Sequence, residues 1–204
     1  PQDGIRGSVS SRISGGTLSV QDATGANIVL SSGRTTDAAG NYHLIFSEFA
    51  IEDGITAPLV VTLDGTDATA ICDFDGPSDN DCLSSDGTFV PFGTIYTLPA
   101  GFQLRGIVAT FPSEDTVGDR TVVVQLSAVS DLATHYATAT GTLNSSGVEL
   151  ALQQAVGLAE FMTGLSSAGT PLNEIEIVDL NVATQKQTSG LAIALFGASL
   201  HNQV

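Results

Sequence analysis

TVVVQLSAVSDLATHYATA, residues 121–139, holds the change of period on which the fold turns. Its opening alternates β-branched and other side chains, the period of a half-buried strand. From Ser127 onward Val129, Leu132, Ala133 and Tyr136 recur at helical spacing. The pattern predicts a strand over 121–127 and a helix over 127–139 with those four residues as its buried face. The chain thus divides into a strand-rich part, 1–126, and a helical part, 127–204.

Backward from residue 121 the text is short apolar runs cut by turn signals. GIRGSV (4–9), TLSVQD (17–22), NIVLSS (27–32), NYHLIF (41–46), PLVVTL (58–63), ATAIC (68–72), TFVPFG (88–93) and FQLRGIVATF (102–111) are the candidate strands. Asp37-Ala38-Ala39-Gly40, Asp64-Gly65 and Asp86-Gly87 are among the turns, since Gly accepts positive φ and Asp bonds its own backbone. Pro91, which lacks an N–H, marks its run as an edge or a bulge. The expected fold is mainly β: an antiparallel β-sandwich followed by two or three α-helices.

Forward of residue 139, Ser146-Gly147-Val148-Glu149 has the form of a capping box opening a helix with Leu150, Leu158, Phe161 and Leu165 buried. A further helix is expected over about 182–202, with Leu191, Ala194, Leu195 and Ala198 along one stripe. Gly190 and Gly197 inside it call for close packing to offset their cost of roughly 1 kcal/mol each.

The 204 residues, 42% of them hydrophobic, suffice for a generous core or two small modules sharing an interface. The formal charge is −16, and the six cations (Arg6, Arg12, Arg34, Arg105, Arg120 and Lys186) form no basic cluster. Nucleic acid is therefore not an expected partner, and anionic membrane surfaces repel the chain. The apolar run GLAIALFGASL (190–200) is too short to span a bilayer, which takes about 20 residues. Pro1 stands where an initiator Met would, so a processed protein or a trimmed fragment is expected.

Both cysteines lie in CDFDGPSDNDC (72–82). Ten positions apart and flanking a Gly-Pro turn, Cys72 and Cys82 are placed to form a disulfide, which predicts an oxidising compartment and a secreted or cell-surface protein. An eleven-residue ring contributes roughly 2–3 kcal/mol by chain entropy. The second reading of the loop is a calcium site built from Asp73, Asp75, Asp79 and Asp81, with Asp86 beside them, because Ca²⁺ takes six to eight oxygens. The EF-hand spacing is missing. Zinc fits poorly, since His43, His135 and His201 are isolated from the loop. No cofactor is required by this reading, and calcium is the candidate.

Gly7-Ser8-Val9, Ser14-Gly15-Gly16-Thr17-Leu18-Ser19-Val20 and Thr36-Asp37-Ala38-Ala39-Gly40-Asn41-Tyr42-His43-Leu44 together resemble the carboxypeptidase-regulatory-like domain, a transthyretin-like or prealbumin-like β-sandwich. The resemblance covers about residues 1–60. It implies a spacer, adhesion or assembly role on secreted or cell-surface bacterial proteins, and it carries no catalytic residue.

No catalytic constellation emerges from the residues themselves. There is no G-x-S-x-G elbow, and His43 and His135 read as structural residues of a strand and a helix. Glu48, Glu52 and Asp53 could pair as glycosidase carboxylates, but the chain has no Trp to form a sugar platform. The expectation is a non-catalytic extracellular structural protein, a self-assembling subunit of a surface fibre or layer whose partner is itself. PQDGIRGSVSS (1–11) would serve as a strand lent to a neighbour. The alternative is a glycan- or protein-binding adhesion module of a larger cell-surface protein.

Overall fold

The structure, a computed structural model, describes residues 3–52, 54–73, 82–112, 119–139, 143–176, 178, 180 and 188–201. Among these the chain runs through β1 (Gly4–Ser8), a 3-10 turn (Ser10–Arg12), β2 (Thr17–Gln21), β3 (Leu30–Ser32), β4 (Asn41–Phe46) and α1 (Glu48–Glu52). It continues through β5 (Leu59–Asp64), β6 (Thr69–Ile71), β7 (Cys82–Leu83), β8 (Phe89–Val90), β9 (Ile95–Thr97), β10 (Gln103–Val108) and β11 (Thr121–Val123). The helices α2 (Ala128–Ala139), α3 (Ser145–Thr163) and α4 (Thr188–His201) follow, with a second 3-10 turn at Leu172–Glu174. The result is a set of mixed sheets with the helices mostly C-terminal.

One sheet has the order β11-β1-β4-β3 and a second the order β10-β5-β2; β6-β9 and β7-β8 are separate pairs. Alternation in β4 sends Tyr42, Leu44 and Phe46 into the core and His43 outward. In β5, Leu59, Val61 and Leu63 join the same hydrophobic cluster as Ile5 and Leu44 of the first sheet. Val60 points the other way, into a cluster with Ile107, Ala137, Val148 and Ala151 of β10, α2 and α3. The β5-β10 side of the three-stranded sheet is thus covered on both faces, which explains why PLVVTL reads as a nearly continuous apolar run, whereas β2 keeps Thr17, Ser19 and Gln21 exposed.

β1 and β11 pair in parallel, Ile5 opposite Val122, while β1 and β4 are antiparallel. An all-antiparallel arrangement was expected. The parallel pairing arises because more than a hundred residues separate the two strands, so no hairpin dictates their direction. The N-terminal run from Gly4 to Ser8 is therefore paired on both sides within its own sheet. β11 is shorter than the 121–127 expected, yet Val124 and Leu126 still donate to the Arg6 and Ser8 carbonyls at 2.9 Å. β8 stops at Val90, where Pro91 offers no ladder donor.

Gly7 shows why this centre needs glycine: a Cβ there would lie 1.7 Å from the Val124 carbonyl oxygen. In the space it leaves, the Tyr42 hydroxyl, opposite Gly7, donates to that carbonyl at 2.6 Å. Burial pushes the Tyr42 phenol far above its ordinary pKa, so it remains a donor at any working pH. Tyr42→Phe should cost about 1–3 kcal/mol, because it orphans a buried acceptor. Urea unfolding of the two proteins measures this directly.

α2 begins with a reciprocal cap: Ser127 N–H donates to Ser130 Oγ (2.8 Å) and Ser130 N–H to Ser127 Oγ (3.2 Å). The same turn closes the outer edge of β10. Ser130 Oγ donates to the Arg105 carbonyl (2.8 Å), and Asp131 Oδ1 accepts from the Arg105 amide (3.1 Å) and Nε (2.9 Å). A strand edge that would otherwise template pairing is thereby occupied at Arg105 by helix side chains.

The helices bury other faces than their largest residues suggested. α2 buries Val129, Ser130, Ala133, Thr134 and Ala137 and exposes Tyr136. α3 buries Val148, Ala151, Ala155, Val156 and Ala159, leaving Leu150 and Phe161 in solvent and Leu158 and Leu165 half-buried. Small residues win these positions because they let α2 and α3 approach each other and the sheet closely. α3 is capped by Asn144, whose Oδ1 accepts from the Gly147 amide at 2.9 Å, and not by Ser146. Asn caps as well as Ser, and Ser146 already lies inside the first turn.

In α4 the buried stripe is Ala192, Ile193 and Phe196 in place of Leu191, Ala194 and Leu195. Close packing at Gly190 is present as expected, a Cβ there falling 2.3 Å from the Glu176 carbonyl oxygen. Residues 181–187 and 202–204, and the Ala198 side chain, lie outside what is described. Among the described residues no helix is long and apolar enough to cross a membrane.

Candidate functional site

Cys72 and Cys82 are joined by a disulfide, as the sequence predicted, with Cα atoms 5.7 Å apart. Both half-cystines are buried, and the bond ties the β6-β9 pair to the β7-β8 pair. A hydrogen bond from the Ser85 amide to the Thr97 carbonyl (2.9 Å) adds a second link. A disulfide of this kind suits an extracellular compartment.

Of the four candidate calcium ligands only Asp73 falls among the described residues; Asp75, Asp79 and Asp81 lie outside them. Asp86 spends Oδ1 on its own turn, accepting from the Thr88 amide (3.0 Å) and hydroxyl (2.6 Å). Among the described residues no three His, Cys, Asp or Glu side chains gather as a metal site would require.

The turn at Asp86 is one of a set. Asp22 accepts from the Thr24 hydroxyl (2.6 Å) and amide, Asp64 from the Thr66 amide (2.9 Å), and Asp37 from the Ala39 and Asn41 amides (2.8 Å each). Three of these read D-x-T in sequence, and the turns at Asp64-Gly65 and Asp86-Gly87 are among those the sequence predicts. Hydrogen bonds from Thr24, Asn41, Thr66 and Thr88 are the leading reasons these four carboxyls lie below the usual carboxylate pKa. A carboxyl depressed in the fold stabilises it above its unfolded pKa of about 4 and loses that contribution as pH falls through the lower folded value. Melting temperature should therefore hold steady from pH 7 to 5 and drop below pH 4, with a shallower drop when Asp37 is replaced by Asn.

Behind the disulfide lies a cavity of about 330 Å³. Its walls come from distant parts of the chain: Ser10 and Ser11 of the first 3-10 turn, Cys82 and Tyr96 of the linked hairpins, Leu132 and His135 of α2, and Ile193 of α4. Most of the lining is apolar. Asp73 and Asp131 also line it, and burial, followed by the Asp73 charge, pushes the Tyr96 phenol up to about 12. Beside the cavity, Leu83, Phe89, Phe92 and Ile95 are exposed on the hairpins, Ile95 by 66%. On β7 and β9 a wall residue thus alternates with an exposed apolar neighbour, Cys82 with Leu83 and Tyr96 with Ile95.

The structure does not bring the other titratable candidates together. His43 faces outward on β4, His135 is in the cavity wall, and His201 ends α4. Glu48 and Glu52 belong to the short helix α1, which the sequence reading missed, and Asp53 is outside the described residues. The cavity had no sequence signal, because its residues share neither a run nor a period. The chain matches no family model, no curated protein and no solved structure.

Proposed function

We propose that this chain is a non-catalytic recognition module of a secreted or cell-surface protein, and that its cavity is the binding site. The observation that carries the proposal is a largely apolar hollow of about 330 Å³, at the lower end of the range of small-ligand sites, walled by a disulfide-linked hairpin pair and two helices. The transthyretin-like sandwich reading belongs to this proposal. Its support is the adjacency of β1 and β4 and the Asp37 turn that opens β4. A calcium ion in the 72–82 loop has only the sequence behind it, and a melting temperature that stays unchanged in millimolar Ca²⁺ removes it. The neutral apolar dye Nile red tests the cavity. It should bind saturably with one site per chain, and Ala194→Trp, which fills the space, should abolish binding while the far-ultraviolet circular dichroism is kept. Absence of saturable binding to the native chain overturns the proposal.

The second reading, a self-assembling subunit of a fibre or layer, is favoured by the outer face of α3. Leu150, Phe161 and Met162 are exposed there, Phe161 by 83%, in a helix whose only charged residues are Glu149 and Glu160. Sedimentation at rising concentration separates the two. A recognition module stays a 20.8 kDa monomer, whereas an assembling subunit gains mass and loses that gain on Phe161→Asp.

A further inference from the structure

The polar groups of the cavity wall differ in what they have left for a ligand. Asp131 spends Oδ1 on the Arg105 amide (3.1 Å) and Nε (2.9 Å), and Ser127 Oγ accepts from the Ser130 amide at the start of α2. Asp73 and Tyr96 are engaged within the protein as well. Ser10 and Ser11 are not: both line the cavity half-buried, and among the described residues neither hydroxyl has a hydrogen-bond partner. The His135 ring is likewise uncommitted, but that residue is exposed, so water already serves it. The turn that carries the two serines is strained. Ser11 (φ 57°, ψ 23°) and Arg12 (φ 47°) lie consecutively in the left-handed region, where a side chain costs energy that glycine would not. Hydrogen bonds hold the segment there from both sides: the Val9 amide donates to the Gly40 carbonyl and the Ser10 amide to the Leu126 carbonyl (2.9 Å each), and the Ser14 amide donates to the Thr69 carbonyl (2.8 Å). A strained residue that is not glycine, in the wall of a cavity, points to a use for its side chain.

Neither carboxylate of the wall is left free to pair with a cation, and an anion is opposed by both of them and by the formal charge of −16. A wholly apolar ligand would displace water from the two hydroxyls and give them nothing in return. We propose that the cavity takes a neutral molecule with an apolar body and one hydroxyl or carbonyl oxygen, and that Ser10 and Ser11 are the groups that bind that oxygen. This inference rests on the cavity being the binding site.

The test titrates the whole chain with benzyl alcohol, toluene, benzylammonium and benzoate, following amide shifts of Ser11, Tyr96, Leu132 and Ile193 by NMR. Benzyl alcohol and toluene should both bind, and the two charged analogues should bind more weakly than the alcohol. Ser10→Ala combined with Ser11→Ala should weaken benzyl alcohol about tenfold, the worth of two hydrogen bonds between neutral groups, and leave toluene unchanged. An alcohol affinity that survives the double variant, binding of toluene without the alcohol, or a charged analogue that binds more tightly than the alcohol overturns the head-group assignment and leaves the cavity reading standing. No shift with any of the four overturns both. Should the double variant fail to fold, Ser11→Gly serves instead, because it relieves the backbone while removing the hydroxyl. Melting temperature should then rise, the alcohol affinity should fall about threefold and the toluene affinity should not change, and an unchanged alcohol affinity overturns the assignment.

Discussion

Asp3→Ala should destabilise the fold by about 3–5 kcal/mol, because it leaves the Arg120 guanidinium buried without its anion. The Asp3 carboxylate accepts from the Arg120 amide at 3.1 Å, from Nε at 2.7 Å and from Nη2, and the two residues are only 3% and 7% exposed. Around the pair, Arg120 lies over the Phe111 ring at 5.5 Å and donates to the Pro112 carbonyl at 3.4 Å. These contacts fasten the start of β1 to the residue that precedes β11, beside the bond from the Gly4 amide to the Arg120 carbonyl. In a chain of this length the loss corresponds to a fall in melting temperature of about 10 °C. Asp3→Ala combined with Arg120→Leu should recover much of it, since burying the guanidinium without the Asp3 carboxylate, more than the missing bond, carries the cost. Equal melting of Asp3→Ala and the native chain would show that the pair contributes nothing.

The same pair has a sign in pH. Burial acts to raise the Asp3 carboxyl, but the Arg120 side chain and amide outweigh it and hold the carboxyl below its ordinary value. Its contribution is therefore complete above about pH 4 and disappears as acid protonates Asp3 in the folded state. Asp3 and the turn aspartates titrate in the same direction, so acid should unfold this protein cooperatively even though its net negative charge is then falling.

Replacing both cysteines by alanine is expected to cost about 3 kcal/mol, the chain entropy released when an eleven-residue ring is opened. Alanine is the suitable substitute, because both positions are buried and a serine hydroxyl would add an unpaired polar atom. The consequence for binding is more specific than the loss of stability. Cys82 is a wall of the cavity, and the hairpins that carry Tyr96 and Leu83 are held to each other by this bond and by the Ser85 to Thr97 hydrogen bond. The double variant should therefore bind Nile red several-fold more weakly even at temperatures where it is fully folded. Unchanged dye affinity in a folded double variant would separate the disulfide from the site.

The strands were legible in the sequence because a strand is written locally. NYHLIF became β4 with Tyr42, Leu44 and Phe46 inward, since alternation alone assigns sides to a sheet with one buried face. The disulfide was legible because spacing limits what two cysteines can do. Helix faces were less so: Phe161 and Leu150 looked like core residues because they are the largest apolar groups of their helix, yet alanines took the interior. Hydrophobicity reports what gains from burial, whereas how closely two backbones approach decides what fits, and that distance is set by the partner element.

Local pattern by itself thus determined where strands give way to helices near residue 127, which cysteines pair and where turns rest on an aspartate. Tertiary structure alone decided that β1 runs parallel to β11, that Asp3 meets Arg120 across more than a hundred residues, and that distant segments line a shared hollow. The physical reason is range. Backbone preference and side-chain alternation act within a few residues, while pairing direction, buried charge and cavity shape depend on which surfaces are left facing one another after the chain has folded.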